Sequence, residues 1–179
     1  MALTNLPNAI TVLRILLVPV FAFLLVYRFY HFALYVYVVA GVSDAVDGYL
    51  ARRLNLQSEL GRLLDPLADK TLVLTSLIIF AFLEWIPAWL TITVLSRDIF
   101  VLAGWFLLFL LYGRKTVQPT LVGKTANALQ MFIVGYVLLG KVLPFLELPG
   151  YFVLFVLTAA LTALSGLHYM IRGLAITHA

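Results

Sequence analysis

Six long apolar runs take up nearly the whole chain, and they restrict its folds more than any other feature. The first opens at Asn5-Leu6-Pro7-Asn8 and runs to about Tyr30. The others cover about His31–Leu50, Pro66–Trp85, Pro87–Tyr112, Lys124–Leu146 and Tyr151–Arg172. Each reaches the ~20 residues a helix needs to cross the hydrocarbon layer of a bilayer. A soluble domain of 179 residues cannot hide a composition that is 64% hydrophobic, only 11% charged and of mean hydropathy +1.07. The expected class is therefore all-α: a polytopic membrane protein, a six-transmembrane-helix bundle forming a single domain over 1–179, without internal repeats.

Smaller signals refine that expectation. Pro7 suits a first helical turn, Pro19 would kink the first span, and Pro66 would mark the start of the third helix. Residues 52–64 read as a connecting turn, and Pro144 and Pro149 bracket the last one. No basic region precedes the first apolar run, which is expected to remain as a membrane helix. Without cysteine no disulfide can form. The net charge of +4 does not indicate nucleic acid, because the basic residues sit at the edges of the apolar runs. With six spans, Arg52, Arg53, Arg62, Arg114, Lys115, Lys124 and Arg172 share one side, against Arg28 and Lys141 on the other. The positive-inside rule then places both termini, and the polar turn between the second and third helices, on the cytoplasmic face of the cell (inner) membrane.

That turn is flanked by the chemistry. Five of the eight acidic residues fall between Asp44 and Asp69. Asp44 and Asp47 are spaced i, i+3, and Asp65 and Asp69 i, i+4, so each pair shares one face of a helix. Two helices joined by a short turn would aim four carboxylates at one point. Like charges so placed repel each other and resist desolvation unless cations neutralise them. Oxygen ligands at that density suit Mg²⁺, Mn²⁺ or Ca²⁺ rather than zinc. The bland alternative makes these residues helix caps and interfacial partners of Arg52, Arg53 and Arg62. Carboxylate pairs holding two hard cations suit in-line displacement at phosphorus. No cysteine or nearby histidine offers a competing nucleophile; His31, His168 and His178 are expected at headgroup level.

Read in full, the stretch is D-x2-D-G-x2-A-R-x8-G-x3-D-x3-D, running from Asp44 through Gly48, Ala51, Arg52 and Gly61 to Asp69. At all eight fixed positions it resembles the signature of the CDP-alcohol phosphatidyltransferases. The resemblance implies an active site at the cytoplasmic ends of helices 2 and 3. It implies a CDP-linked lipid donor, usually CDP-diacylglycerol, with release of CMP. Asp44, Asp47, Asp65 and Asp69 would bind Mg²⁺ or Mn²⁺ in a two-metal site, and Asp69 would be the catalytic base. Gly48, Ala51 and Gly61 would let backbone approach the cytidine, although small residues also serve helix packing. Arg52 would hold the diphosphate. Asn8 and Arg14 join the donor-binding set; Arg14 either contacts phosphate or snorkels to the headgroups. A homodimer is also implied.

Recognition of the acceptor would fall to Arg97, Lys124 and Asn127. Arg97-Asp98 lies near the middle of the fourth span, where a charge must face a cavity or a partner. Ser96-Arg97-Asp98, Gln118-Pro119-Thr120, Gly123-Lys124 and Asn127 through Gln130 resemble the eukaryotic-type cardiolipin synthases. Phosphatidylglycerophosphate synthases are similar too, but usually carry Arg-Glu here and a second Arg soon after. The run Val101-Leu102-Ala103-Gly104-Trp105 has no basic residue. A glycerol-type acceptor is implied: phosphatidylglycerol, giving cardiolipin, ahead of glycerol 3-phosphate, whose dianion needs more positive charge. A transporter or channel is the alternative of another class, since it too places charges in membrane helices.

Overall fold

Among the residues described, the chain forms six α-helices and no strand. They are α1 (Leu6–Val26), α2 (Tyr30–Leu54), α3 (Glu59–Phe82), α4 (Ala88–Tyr112), α5 (Leu121–Val142) and α6 (Tyr151–Thr177). This computed structural model describes the backbone of residues 6–54, 59–112, 120–143, 145 and 150–177. It describes side chains for residues 12–43, 70–104, 106–107, 110, 120–143, 145 and 150–172.

Each apolar run becomes a helix, but several boundaries differ from expectation. The expected turn at 52–64 is largely helical, because α2 continues to Leu54 and α3 begins at Glu59. Hydropathy marks what favours lipid, whereas Ala51-Arg52-Arg53-Leu54 and Glu59-Leu60 are good helix formers that carry the coil beyond it. Pro66, expected at a helix start, stands inside α3. A proline there deprives only the Arg62 carbonyl of its helical donor, and the helix continues. Pro19 likewise lies within α1. The fifth helix starts at Leu121 rather than Lys124 because Thr120 caps it: its hydroxyl accepts from the Gly123 N–H at 3.0 Å. It stops at Val142 rather than Leu146, since Pro144 has no N–H and disfavours helical backbone at Leu143. The last helix runs past Arg172 to Thr177.

α1 ends in a tight cap. The Phe29 N–H donates to the Leu24 carbonyl at 2.8 Å and the Arg28 N–H to the Leu25 carbonyl at 3.1 Å. Between them Arg28 adopts a left-handed backbone, φ 64°. A residue with a Cβ pays about 1–2 kcal/mol there, and glycine avoids that cost. Arg28→Gly is therefore expected to leave stability unchanged or raise it by up to about 1 kcal/mol. Thermal unfolding in detergent checks this; a lower midpoint would show that the arginine side chain stabilises the turn by more than its backbone costs.

The chain divides into two compact units, Met1–Phe82 with Val134–Glu147, and Leu83–Ile133 with Leu148–Ala179. In the first, α1 packs on both α2 and α3. Its buried positions Arg14, Val18, Phe21 and Leu25 recur at 4-3-4 spacing, one face of a helix. Tyr37 of α2 packs its ring at Gly135 of α5, where a Cβ would come within 3.2 Å. In the second unit α4 packs on α6.

Polarity is inverted relative to a soluble protein. Large apolar side chains face outward, Phe82 at 85% and Leu121 at 80% exposure, while Arg97, Asp98, Thr120, Gln130, Thr158, Thr162 and Ser165 are buried. Water would not tolerate so oily an exterior, and lipid would. Hydroxyls within helices bond back to the preceding turn, as Ser76 does to the Leu72 carbonyl and Thr158 to the Leu154 carbonyl, both at 2.7 Å. Among the described residues, Leu121–Val142 and Tyr151–Arg172 are long and apolar enough to cross a membrane.

Candidate functional site

Asp44, Asp47, Gly48, Ala51 and Arg52 all lie on the last part of α2, and Gly61, Asp65 and Asp69 on the first part of α3. Only residues 55–58 separate the two helices. Asp44 precedes the end of α2 by ten residues, and Asp69 follows the start of α3 by ten. At 1.5 Å per residue each stands about 15 Å along its helix from the connection. Asp47 and Asp65 stand about 10 Å and 9 Å from it on the same measure. The two carboxylate pairs are thus matched in depth along consecutive helices. The eight side chains of the motif lie outside those described.

Ahead of Asp65 and Asp69, the Arg62 carbonyl has no helical donor, because Pro66 lacks an N–H. Arg14 is among those described. It is 2% exposed on the inward face of α1, inside its unit rather than reaching outward as a snorkelling side chain would. The side chain of Asn8 lies outside the described residues, and its backbone belongs to the first turn of α1.

The second unit holds a cluster that is described in full. Arg97 and Asp98 have side chains 5% exposed and form an ion pair, Nη1 to Oδ1, at 2.6 Å. Nη1 also meets Asn127 Oδ1 of α5 at 3.4 Å, and Nη2 donates to the Ser165 hydroxyl of α6 at 2.7 Å. The Tyr169 ring lies 5.5 Å from the guanidinium carbon, within cation–π range. Nε is buried and has no hydrogen-bond partner among the described residues. These bonds use three of the five guanidinium N–H donors, and a buried guanidinium that keeps donors uncommitted is unusual and suits an oxygen ligand. Deeper in the same seam, Gln130 Nε2 donates to the Thr162 hydroxyl at 3.0 Å.

Of the acceptor residues expected from sequence, Arg97 and Asn127 meet, and Lys124 lies exposed one turn before Asn127 on α5. Sequence reasoning missed Ser165 and Tyr169. Their signal was present as Thr158, Thr162, Ser165 and Tyr169, a polar stripe at helical spacing in an otherwise apolar run.

The sequence pattern of the CDP-alcohol phosphatidyltransferase family matches residues 4–168. The chain is 37% identical to the CDP-diacylglycerol–glycerol-3-phosphate 3-phosphatidyltransferase of Bacillus subtilis, over 79% of this chain and 79% of that protein. It is 31% identical to the cardiolipin synthase (CMP-forming) of Homo sapiens, over 94% of this chain and 62% of that protein. To a putative cardiolipin synthase of Mycobacterium tuberculosis it is 37% identical, over 75% of this chain and 65% of that protein. The match therefore covers less than two thirds of either cardiolipin synthase.

Proposed function

Because the chain belongs to the CDP-alcohol phosphatidyltransferase family and is a membrane-embedded enzyme of phospholipid biosynthesis, we propose that it transfers a phosphatidyl group from CDP-diacylglycerol to phosphatidylglycerol, giving cardiolipin and CMP. The depth-matched carboxylates on α2 and α3 carry the reaction type. Asp44, Asp47, Asp65 and Asp69 would hold two Mg²⁺ or Mn²⁺ ions, which supply charge neutralisation at the reacting diphosphate. Asp69 takes the proton of the acceptor hydroxyl as its oxygen attacks the phosphatidyl phosphorus. The bond from that phosphorus to the CMP oxygen breaks, and CMP leaves with the oxygen. Arg52, Arg14 and Asn8 orient the donor phosphates, while Gly48, Ala51 and Gly61 admit the nucleotide to the backbone.

The acceptor assignment rests on Arg97. Its charge is already neutralised by Asp98 at 2.6 Å. Such a centre suits the single charge of a phosphodiester better than the dianion of a phosphomonoester. Glycerol 3-phosphate is the second reading, favoured by the Bacillus subtilis relative, whose similarity extends over 79% of its length. On either reading Arg97, Lys124 and Asn127 recognise the acceptor. All six helices would cross the cell membrane with both termini and the Asp cluster on the cytoplasmic side, which the basic residues at 52, 53, 62, 114, 115, 124 and 172 favour. The active form would be a homodimer.

Purified enzyme given CDP-diacylglycerol, Mg²⁺ or Mn²⁺, and each acceptor separately decides the matter. The expected result is cardiolipin from phosphatidylglycerol and no phosphatidylglycerophosphate from glycerol 3-phosphate, by thin-layer separation of the products. Phosphatidylglycerophosphate as the main product would move the assignment to the second reading.

A further inference from the structure

Arg97 is held from α4, α5 and α6, and part of the hold from α6 is one aromatic ring. Ser165 accepts from Nη2 at 2.7 Å, and the Tyr169 ring lies 5.5 Å from the guanidinium carbon. Between them Gly166 leaves room for the arginine stem, since a Cβ there would come within 3.2 Å of Arg97 Cγ. Tyr169 is itself fixed from α5. Its hydroxyl accepts from the Thr120 backbone N–H at 3.2 Å, in the turn that caps the helix. Gly123 stands behind the ring, where a Cβ would come 3.0 Å from Tyr169 Cε2 and 3.1 Å from its hydroxyl oxygen. The start of α5, which also carries Lys124 and Asn127, thereby sets the ring, and the ring sets the guanidinium.

A flat guanidinium needs such a guide. With Nη1 given to Asp98 and Asn127 and one Nη2–H to Ser165, its plane determines where the Nε–H and the second Nη2–H point. Asp98 is adjacent in sequence and fixes only one edge. A ring facing the cation restricts its tilt, and cation–π attraction strengthens when both groups are withdrawn from water.

We propose that Tyr169, backed by Gly123, is a positioning residue for acceptor recognition: it fixes the Arg97 guanidinium in the orientation that meets the acceptor phosphate. The inference rests on the reading of Arg97 as the acceptor-side cation and adds the residue that makes that cation selective. Tyr169 does not touch the reacting atoms.

Steady-state CMP release in mixed micelles tests it, with phosphatidylglycerol varied at saturating CDP-diacylglycerol and the reverse. Tyr169→Leu is expected to raise KM for phosphatidylglycerol roughly tenfold or more, as befits loss of a buried cation–π contact, with KM for the donor unchanged. Tyr169→Phe keeps the ring and should stay within about threefold of the parent, the loss of one neutral hydrogen bond. Gly123→Val displaces the ring from behind and should reproduce Tyr169→Leu, which gives an independent route if the leucine variant does not accumulate. In an Arg97→Lys background, Tyr169→Leu should add less than about twofold, because the two residues act as a unit. Equal rises in both KM values, failure of phenylalanine to rescue, or full additivity with Arg97→Lys would overturn the positioning role. An acceptor KM raised by Arg97→Lys but untouched by Tyr169→Leu and Gly123→Val sinks this inference alone. An acceptor KM unchanged by Arg97→Lys sinks the reading beneath it as well.

Discussion

Replacing Asp69 by asparagine is expected to lower CMP release by roughly a thousandfold, the middle of the range for losing a positioned general base. Asparagine keeps the size and one carbonyl oxygen of the side chain but cannot accept the hydroxyl proton at neutral pH. On the proposed reading Asp69 would combine two roles, proton acceptor and ligand to a cation. Asp44→Asn, at the matched depth on α2, removes only a ligand and should cost less. The contrast between the two substitutions is the informative quantity. CMP release from CDP-diacylglycerol under saturating acceptor measures it, alongside retention of donor binding. Activity of Asp69→Asn within about tenfold of the parent would remove Asp69 from the chemistry.

Chelation should have an effect as large. EDTA is expected to abolish turnover, with recovery on adding Mg²⁺ or Mn²⁺ and none with an equal concentration of monovalent salt. The same cations should stabilise the fold, because the unfolded chain has no gathered carboxylates to offer them. At a hundredfold excess over Kd the gain is about 2.7 kcal/mol for one site. Asp47→Asn gives the sign check. Without cations it relieves repulsion among the carboxylates, so its unfolding midpoint should equal or exceed that of the parent. With cations the order reverses, because the variant has lost a ligand. A parent protein indifferent to EDTA in both activity and melting would refute a metal-assisted site.

The reading from sequence succeeded where one signal dominated. Six long apolar runs leave few folds, and each run became a helix. The family followed from eight fixed positions spread over a long gap, which chance rarely supplies. Boundaries were harder, for a definite reason. Helices here extend beyond the stretches that favour lipid, so Arg52, Arg53 and Glu59 belong to α2 and α3 although hydropathy assigns them to a turn. Pro66 misled for a related reason, since a proline removes one hydrogen bond and a long helix can lose it without ending. The surroundings of Arg97 were only half visible. Asp98 is its sequence neighbour, whereas Ser165 and Tyr169 reach it from a helix some seventy residues away, a pairing that only the packing of α4 on α6 creates.

The polar stripe on α6 gives that helix a single acceptable setting about its own axis. Thr158, Thr162, Ser165 and Tyr169 all point into the unit, and the face opposite is oil. One residue inserted ahead of Thr158 would swing the whole set by about 100°. Thr162 and Ser165 would then lose Gln130 and Arg97 as partners, and Arg97 would face apolar side chains. A bilayer supplies no water to satisfy either. The setting of α6 about its axis is thus indexed from both sides, by its partners inside the unit and by the apolar surroundings that its outer face suits.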